Sequence, residues 1–356
     1  MITFTIKPVD QSLAVALQAK IDNKTKPVGA LGELERMGMQ VGLIQGTLNP
    51  RLEKPTLVLV AGDHGLVAEG VSAYPQEVTY QMVYNFLAGG AAANVLARQN
   101  GIEVVVVDAG VNYDFGEIEG LVGVKIGYGT KNAAEGAAMS LQQLEAALVA
   151  GARIVADLAA EGCNVVGFGE MGIGNTSAAA LVMSFLMGVP VGECVGRGTG
   201  VDDEGLRRKV AVLERVKRLH DERGVGLSEG EPGAWEVLAA VGGFEMVVMV
   251  GGMLAAAQAG MVILVDGFIA TAAFLAAATA YPAIKGYGIF AHVSNEQAHG
   301  RMVEYLGGRP LLDLGMRLGE GSGVLAAYPL VASGVAILNE MASFGEAGVA
   351  EREGGG

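Results

Sequence analysis

Short apolar runs that end in glycine, an acid or histidine recur along this chain and alternate with stretches of helical periodicity. Buried strands of a parallel sheet read as continuous apolar runs, and their alternation with helices is typical of an α/β fold. The sequence therefore predicts a Rossmann-like parallel sheet of about six strands flanked by helices. The predicted strands are 56–60, 104–107, 165–168, 247–250, 263–265 and 288–291, and the predicted helices between them are 77–99, 140–161, 176–187, 202–223 and 269–281.

The two ends of the chain have a different character, because their predicted helices at 12–23, 33–45 and 324–341 are not interleaved with strands. We expect these helices to associate into a small helical domain made of residues 1–49 and 311–345. The large α/β domain would then comprise residues 50–310. The glycine- and glutamate-rich stretch 224–233 predicts a surface loop, and residues 346–356 predict a frayed tail.

The charge balance argues against nucleic acid as a partner. The chain has 24 Lys and Arg against 38 Asp and Glu, a formal net charge of −14, and no basic run that could replace phosphate counterions. Cys163 and Cys194 lack the spacing of a metal or redox motif, and the N-terminus lacks a signal-peptide pattern. These features favour a cytoplasmic protein with reduced thiols.

The four histidines lack the spacing of a metal site, so we expect no metal and no cofactor. Asp63 and His64, which follow the first predicted strand, are expected to hold their loop in shape by hydrogen bonds. Residues 246–265 carry no charge and could span a bilayer by length, but Gly251 and Gly252 interrupt them and no basic residues flank them. We interpret this stretch as two buried strands joined by a helix, without membrane insertion.

The residues after the predicted strand 165–168 combine a glycine-rich turn with the start of a helix. Segment 169–177 reads Gly-Glu-Met-Gly-Ile-Gly-Asn-Thr-Ser. Glycines permit close approach of backbone N–H groups to a ligand, and a helix N-terminus with polar residues binds anions. The pattern predicts a phosphate site, with a turn that binds nothing as the alternative. Glu170 is unexpected beside a phosphate and indicates chemistry on a phosphorylated, cationic substrate.

Two further glycine-rich loops carry residues that could act on a ligand. Segment 196–203 leads into a helix that presents Lys209 either to a phosphate or to solvent on a charged face. Segment 314–323 reads Leu-Gly-Met-Arg-Leu-Gly-Glu-Gly-Ser-Gly and places Glu320 between two glycines, which lets the carboxylate reach a ligand. The alternative for Glu320 is an exposed acid in a flexible loop.

Motifs along nearly the whole chain resemble those of the nicotinate-nucleotide–dimethylbenzimidazole phosphoribosyltransferases of cobalamin biosynthesis. One of them departs from the family pattern, since Val28 and Ala30 stand where proline and serine are expected. The motifs are KPVGALG (26–32), AGDHG (61–65), YPQEVT (74–79), QMV (81–83), FLAGGAA (86–92), GEMGIGNT (169–176), GRGTGVD (196–202), DGFI (266–269), HVS (292–294) and GMRLGEGSG (315–323).

The resemblance implies a reaction in which nicotinate mononucleotide transfers its phosphoribosyl group to 5,6-dimethylbenzimidazole. The products would be nicotinate and α-ribazole 5′-phosphate, with inversion at the anomeric carbon. The resemblance also implies a Rossmann-like large domain, a small helical domain and a homodimer that works without a metal.

The resemblance further implies roles for particular residues. Glu320 matches the family's general base, and Glu170 is expected nearer the ribose, where positive charge develops. The expected substrate contacts form a phosphoribosyl side and an aromatic-base side. The first comprises Gly172, Gly174, Asn175, Thr176, Ser177, Gly198, Lys209, Asp266 and Ser294, and the second comprises Ser72, Tyr74, Gln81, Met316 and Leu318.

Two other functions remain open on the sequence. A nucleotide-binding regulatory module would need the glycine turns but no acid within them. A fragment of a small-molecule permease would account for the charge-free run 246–265.

Overall fold

A computed structural model describes residues 1–198, 200–226 and 233–350 of the chain. Within these residues six strands form one sheet in the order β3-β2-β1-β4-β5-β6, and every neighbouring pair is parallel. This is the strand order of a Rossmann sheet, so the predicted fold class is confirmed. The strands are β1 Thr56–Gly62, β2 Glu103–Gly110, β3 Leu121–Gly123, β4 Val165–Met171, β5 Val262–Val265 and β6 Gly288–Phe290.

Helices cover both faces of the sheet. A Cβ at Gly167 would contact Val324, whereas the neighbouring Phe168 contacts Gly252, and successive strand residues point to opposite faces. The helices that carry Val324 and Gly252 therefore lie on opposite sides of β4. In the described residues the helices are α1 Ala14–Asp22, α2 Glu33–Ile44, α3 Val78–Leu87, α4 Ala92–Asn100, α5 Leu141–Ala160, α6 Asn175–Met187, α7 Val191–Cys194, α8 Asp203–Glu222, α9 Ala234–Val241, α10 Phe244–Gln258, α11 Phe268–Ala280, α12 His299–Tyr305, α13 Ser322–Glu340 and α14 Phe344–Ala347, with 3₁₀ turns at Gly65–Glu69 and Pro282–Tyr287.

The predicted strand at 247–250 is wrong, because these residues lie in the middle of α10. Helix α10 is packed between the sheet, α5 and α11, and nearly all of its residues are buried. A helix buried all round has no polar face, so its apolar run resembles that of a buried strand. Gly251 and Gly252 are not a strand end: a Cβ on Gly251 would lie 2.1 Å from the Leu148 carbonyl oxygen of α5. The charge-free stretch is thus one buried helix followed by β5.

Two other elements differ from the prediction. The helix predicted over 77–99 is two helices, α3 and α4, because the chain turns at Gly89, which has φ +74°, and Gly90. The sixth strand of the sheet is β3, a three-residue edge strand whose residues are largely exposed. The strand is too short, and the sequence that precedes it too polar, for the residues to show a strand pattern.

Helices α1, α2 and α13 pack together through a cluster of Leu17, Ile21 and Leu338. A Cβ on Gly38 of α2 would lie 2.5 Å from the Gly334 carbonyl oxygen of α13, so these two helices touch backbone to backbone. Helix α13 also packs against α4 and β4. The division into domains at residues 50 and 310 stays a prediction.

Helix α13 is long and apolar enough to cross a membrane by length and composition alone. Half of its apolar window is buried inside the protein, and its first turn donates backbone hydrogen bonds to Asp266 at the end of β5. Among the described residues it is therefore built as a core helix. The predicted loop 224–233 and tail 346–356 each lie partly outside the described residues, and α14 covers the first residues of that tail.

The contact between α5 and α10 predicts a specific stability effect. A Cβ on Gly151 would lie 1.9 Å from the Val248 carbonyl oxygen, which cannot move without shifting α10. We expect Gly151→Ala to lower the free energy of unfolding by about 1–3 kcal/mol, measured by urea denaturation. Gly345→Ala, where a Cβ would meet open space, is the matched control and should leave the midpoint unchanged. An unchanged midpoint for Gly151→Ala would contradict this close packing.

Candidate active site

A cavity lies at the carboxyl ends of β4, β5 and β6, where ligands bind in sheets of this type. It has a volume of about 70 Å³ and lies between the β4–α6 turn, the loops after β5 and β6, and the C-terminal loop before α13. The cavity thus brings together segments that are far apart in the sequence. Of the predicted site residues, Glu170, Gly172, Asn175, Thr176, Gly198, Asp266, Ser294 and Leu318 line it.

The predicted phosphate turn forms the start of α6. Gly174 precedes the helix with φ +94°, and a Cβ there would also lie 2.7 Å from Val67. The backbone N–H groups of Asn175 and Ser177 donate to the carbonyls of Gly172 and Gly174, so they close the turn rather than point at a ligand. Ser177 is fully buried behind the cavity wall. The side chains of Asn175 and Thr176 remain on the cavity side.

Lys209 reaches this turn from α8. Its side chain is 1% exposed, and its Nζ donates to Thr176 Oγ1 at 2.9 Å and to the Gly196 carbonyl at 3.3 Å. Burial lowers the pKa of Lys209 to about 8, and the carboxylate of Glu296 opposes that shift. Of the two sequence alternatives, the solvated lysine is therefore wrong. Lys209 is a buried ammonium directly behind the cavity-lining Thr176.

Two charged residues missed by the sequence analysis accompany Lys209. Glu296 lines the cavity, and its Oε2 is buried without a hydrogen-bond partner among the described residues. Burial raises the pKa of Glu296, while Lys209 and Arg317 lower it. Arg317 donates to the Gly198 carbonyl at 3.2 Å and so joins the C-terminal loop to the loop before α8. Thr199, in the middle of that loop, lies outside the described residues.

Glu170 is buried at the end of β4. Burial raises its pKa to about 8, with further contributions from Asp266 and Glu245, whereas a hydrogen bond from the Asn175 amide lowers it. Without a ligand this carboxyl is thus protonated at neutral pH. A positive charge in the cavity would favour its ionised form, because opposite charges at short range stabilise each other in a low-dielectric site.

Asp266, at the end of β5, binds the first turn of α13. Its Oδ1 accepts hydrogen bonds from the backbone of Gly323 at 2.7 Å and Val324 at 3.1 Å, and His292 Nε2 lies 3.7 Å away. Burial raises the pKa of Asp266, and His292 and these N–H groups oppose the shift. The carboxylate therefore holds the C-terminal loop to the sheet as well as facing the cavity.

Glu320 is brought against Glu170 by a close contact between backbones. A Cβ on Gly169 would lie 2.7 Å from the Glu320 carbonyl carbon, and a Cβ on Gly319 would lie 2.4 Å from Glu170 Oε1. Glu320 itself has φ +61°, a conformation that costs energy for a residue other than glycine and is found at functional sites. The alternative of an exposed acid in a flexible loop is wrong, because Glu320 is only 6% exposed.

Glu320 does not line the cavity, because its carboxylate points toward α4. Its Oε2 accepts a hydrogen bond at 3.3 Å from the backbone of Ala93 in the first turn of α4. Burial raises the pKa of Glu320, and this hydrogen bond opposes the shift. The result is a carboxylate between the cavity and the helices α3 and α4.

The residues predicted for the aromatic-base side are not gathered into one closed pocket. Leu318 lines the cavity and is 57% exposed, and Met316 accepts hydrogen bonds through its carbonyl from Ser294 and Asn295. Tyr74 is 50% exposed in the segment before α3. The hydroxyl of Ser72 accepts a hydrogen bond from the backbone N–H of Tyr74, and Gln81 is exposed on α3. Ser72, Tyr74 and Gln81 all lie outside the lining of the cavity.

The prediction for Asp63 and His64 is confirmed. Asp63 Oδ2 accepts the backbone N–H of Asn112 at 2.8 Å, and His64 Nε2 lies 2.8 Å from Glu245 Oε1 in a fully buried pair. Burial opposes a charge on His64, but Glu245 more than offsets this and raises its pKa. No group of His, Cys, Asp and Glu among the described residues is arranged to hold a metal ion.

The comparisons with known proteins identify first a class and then a family. A family model described as phosphoribosyltransferase matches residues 6–349. The nicotinate-nucleotide–dimethylbenzimidazole phosphoribosyltransferases of Dechloromonas aromatica (strain RCB) and Cupriavidus necator are 55% and 53% identical to the chain, over 99% and 97% of it and 100% and 97% of their own lengths. The chain therefore belongs to the nicotinate-nucleotide–dimethylbenzimidazole phosphoribosyltransferase family.

Solved structures agree with this assignment. The enzyme of that name from Thermus thermophilus is 41% identical, covers 96% of this chain and 100% of its own, and superposes with a TM-score of 0.89. A structure of CobT from the same organism is 43% identical, covers 95% of this chain and 99% of its own, and also superposes with a TM-score of 0.89. The Rossmann sheet is thus shared with solved members of the family.

The buried lysine predicts a pH dependence of anion binding. With a pKa of about 8, Lys209 is charged below that pH and loses its charge above it. We expect the affinity for sulfate, which does not titrate in this range, to fall as the pH rises from about 7 to about 9.5. Ionisation of Glu170, whose pKa is also about 8, acts in the same direction, since it adds negative charge to the same cavity. Isothermal titration calorimetry at several pH values measures the effect.

Lys209→Met should weaken sulfate binding about tenfold at pH 7, as expected for a hydrogen bond to a charged group, and should reduce the pH dependence to the part that Glu170 contributes. Lys217→Met is the control, because Lys217 lies on the same helix but is paired with Asp221 at the surface. A wild-type affinity that stays constant or increases with pH would show that Lys209 does not bind the anion.

Proposed function

We propose that this enzyme transfers the phosphoribosyl group of nicotinate mononucleotide to 5,6-dimethylbenzimidazole and releases nicotinate and α-ribazole 5′-phosphate. The observation that supports the proposal is the close approach of the loop that carries the buried Glu320 to Glu170, which lines the cavity. The activity in the names of the relatives is the same transfer. The reaction supplies the lower nucleotide of cobalamin.

The phosphoribosyl group fits the cavity with its phosphate at the start of α6. Thr176, Lys209 and Ser294 provide two hydroxyls and one ammonium within a small volume, and the helix N-terminus adds a partial positive charge. Gly172 and Gly198 let the backbone approach the ligand. The ribose would then lie toward Glu170 and Asp266 at the ends of β4 and β5.

The chemistry of the leaving group explains why acids rather than bases surround the ribose. Nicotinate leaves from a pyridinium nitrogen that is already cationic, so it needs no proton. As the glycosidic bond breaks, positive charge moves to the sugar, and Glu170 can ionise to stabilise it. Asp266 adds a second carboxylate on the same side of the cavity.

The attacking benzimidazole needs a base. One ring nitrogen forms the new bond to the anomeric carbon, the bond to the pyridinium nitrogen breaks, and the other ring nitrogen loses its proton. We assign that proton to Glu320, whose raised pKa makes it a better proton acceptor than an exposed glutamate. The benzimidazole would then lie beside Leu318, the residue predicted for the aromatic-base side that lines the cavity.

The assignment of Glu320 predicts a kinetic effect. We expect Glu320→Gln to reduce kcat by about 10²–10⁴-fold, the usual contribution of a general base, with little change in the dissociation constant of nicotinate mononucleotide. Glu340→Gln, at the exposed C-terminal end of α13, the helix that follows Glu320, should retain wild-type kcat. Full turnover by Glu320→Gln would remove the residue from this role.

The activity itself is tested by incubating the purified protein with both substrates and following the release of nicotinate by chromatography. We expect nicotinate and α-ribazole 5′-phosphate in equal amounts, and only when both substrates are present. A regulatory nucleotide-binding module would instead bind nicotinate mononucleotide in calorimetry and release no nicotinate. That outcome would overturn the proposed function while leaving the phosphate site intact.

We further propose that the enzyme is a homodimer in the cytoplasm. The resemblance to the family supports the dimer, and the two buried free thiols, Cys163 and Cys194, fit a reducing compartment. Sedimentation equilibrium should give twice the mass of one chain. A single species with the mass of one chain at micromolar concentration would contradict the dimer.

A further inference from the structure

His299, the first residue of α12, is a fully buried histidine behind the cavity wall. Its Nδ1 accepts a hydrogen bond from the backbone N–H of Ser294 at 2.7 Å, and its Nε2 lies 2.9 Å from Thr271 Oγ1. Ser294 lines the cavity, and Thr271 lies in the first turn of α11. The ring therefore connects the loop after β6 to the helix that follows β5.

These two hydrogen bonds define the tautomer of the ring. Because the Ser294 N–H must donate, Nδ1 must carry no proton, and a neutral imidazole then carries its proton on Nε2. The Nε2–H group donates to Thr271 Oγ1. Burial, together with the neighbouring His292, lowers the pKa of His299 to about 3, so the ring stays neutral at physiological pH. A neutral ring offers no charge to an anion, and its contribution must be geometric.

The hydrogen bond to His299 orients the Ser294 peptide. On the other side of the same loop, Ser294 Oγ donates to the Met316 carbonyl at 3.3 Å, and Asn295 N–H donates to that carbonyl at 2.8 Å. Ser294 is thus held between a rigid helix pair and the C-terminal loop that carries Arg317. If the ring were absent, a buried N–H would lose its partner, and the peptide could turn its hydroxyl away from the cavity.

We propose that Thr271 and His299 form a positioning relay that fixes Ser294 for the phosphate of nicotinate mononucleotide, with Thr271 anchoring the His299 ring that accepts the Ser294 N–H. Neither residue touches the substrate. This inference rests on the proposed function, because it assigns Ser294 to the phosphate of that substrate. It extends the phosphate site from the residues on its surface to two residues behind it.

The relay is tested by two substitutions of His299 with side chains of similar shape, of which only one keeps a hydrogen-bond acceptor. The side-chain oxygen of asparagine can take the place of Nδ1 as an acceptor, whereas leucine offers none. We expect His299→Leu to raise the KM for nicotinate mononucleotide about tenfold or more, with a smaller change in kcat and an unchanged KM for dimethylbenzimidazole. His299→Asn should restore a KM close to that of wild type.

Thr271→Val tests the anchor. Without the hydroxyl at position 271, the Nε2–H group loses its acceptor and the ring is no longer held against the Ser294 N–H, so the KM for nicotinate mononucleotide should rise. In the His299→Asn background the same substitution should have no effect, because no ring remains for Thr271 to hold. A double-mutant cycle of these variants measures this coupling. An equal rise in KM in both backgrounds would overturn the relay.

A buried histidine away from the cavity provides the control for stability. His220 is 1% exposed and hydrogen-bonds to the Ala133 carbonyl at 2.9 Å, so His220→Leu should lower the melting temperature without changing KM. If His299→Leu lowers the melting temperature but leaves the KM for nicotinate mononucleotide unchanged, His299 is only structural and the proposal fails.

The ring can also be observed directly. Nitrogen-15 chemical shifts of His299 in the intact enzyme should report a neutral, Nε2-protonated ring from about pH 5 to about pH 9 in the wild type and the loss of the hydrogen bond at Nε2 in Thr271→Val. An imidazolium signal or an Nδ1-protonated ring in the wild type would overturn the proposal. Absence of nicotinate release by the wild type would instead contradict the proposed function, and calorimetric binding of nicotinate mononucleotide to the same variants would still test the relay.

Discussion

The backbone of residues 319–321 lies directly against β4, and the geometry of the site depends on this contact. It requires glycine at 169, where any Cβ would overlap the Glu320–Gly321 peptide, and glycine at 319, where a Cβ would overlap the Glu170 carboxylate. The contact is held from the next strand by Asp266, which accepts hydrogen bonds from two backbone N–H groups in the first turn of α13. Two acids far apart in the sequence are thereby brought together beside one ligand cavity.

Burial gives these acids the raised pKa values on which the proposed chemistry depends. Glu170, Asp266 and Glu320 are buried, and desolvation raises the pKa of each; repulsion by neighbouring carboxylates adds to the shift at Glu170 and Glu320. Each carboxyl becomes a stronger proton acceptor or a stronger electrostatic partner of a cation than it would be in water. In the proposed mechanism this energetic cost falls on the free enzyme and is relieved when positive charge develops on the substrate, as catalysis by transition-state complementarity requires.

The sequence predicted the sheet well where burial and periodicity agree. Strands β1, β2, β4, β5 and β6 are each apolar runs closed by glycine or a polar residue, whereas the helix α10 and the edge strand β3 were missed for opposite reasons. Helix α10 is apolar on all sides, and β3 has only three residues, which are too few to show a period. At the site, glycine-flanked acids were recognisable as local patterns. Glu296, Glu245 and His299 were not, because only three-dimensional contacts distinguish a buried polar residue from an exposed one.

The acidic net charge of the chain determines how it can hold a phosphate. A protein with a charge of −14 repels a phosphorylated ligand at long range, but salt screens that repulsion beyond about 10 Å at 0.1 M. Affinity must then arise at short range from groups that screening does not reach, namely the buried Lys209, the start of α6 and hydroxyls held in place. A site with so few cations depends on close placement of its neutral donors. Because the site has few cations, the proposed support of Ser294 by the uncharged His299 keeps a neutral donor in place for the phosphate.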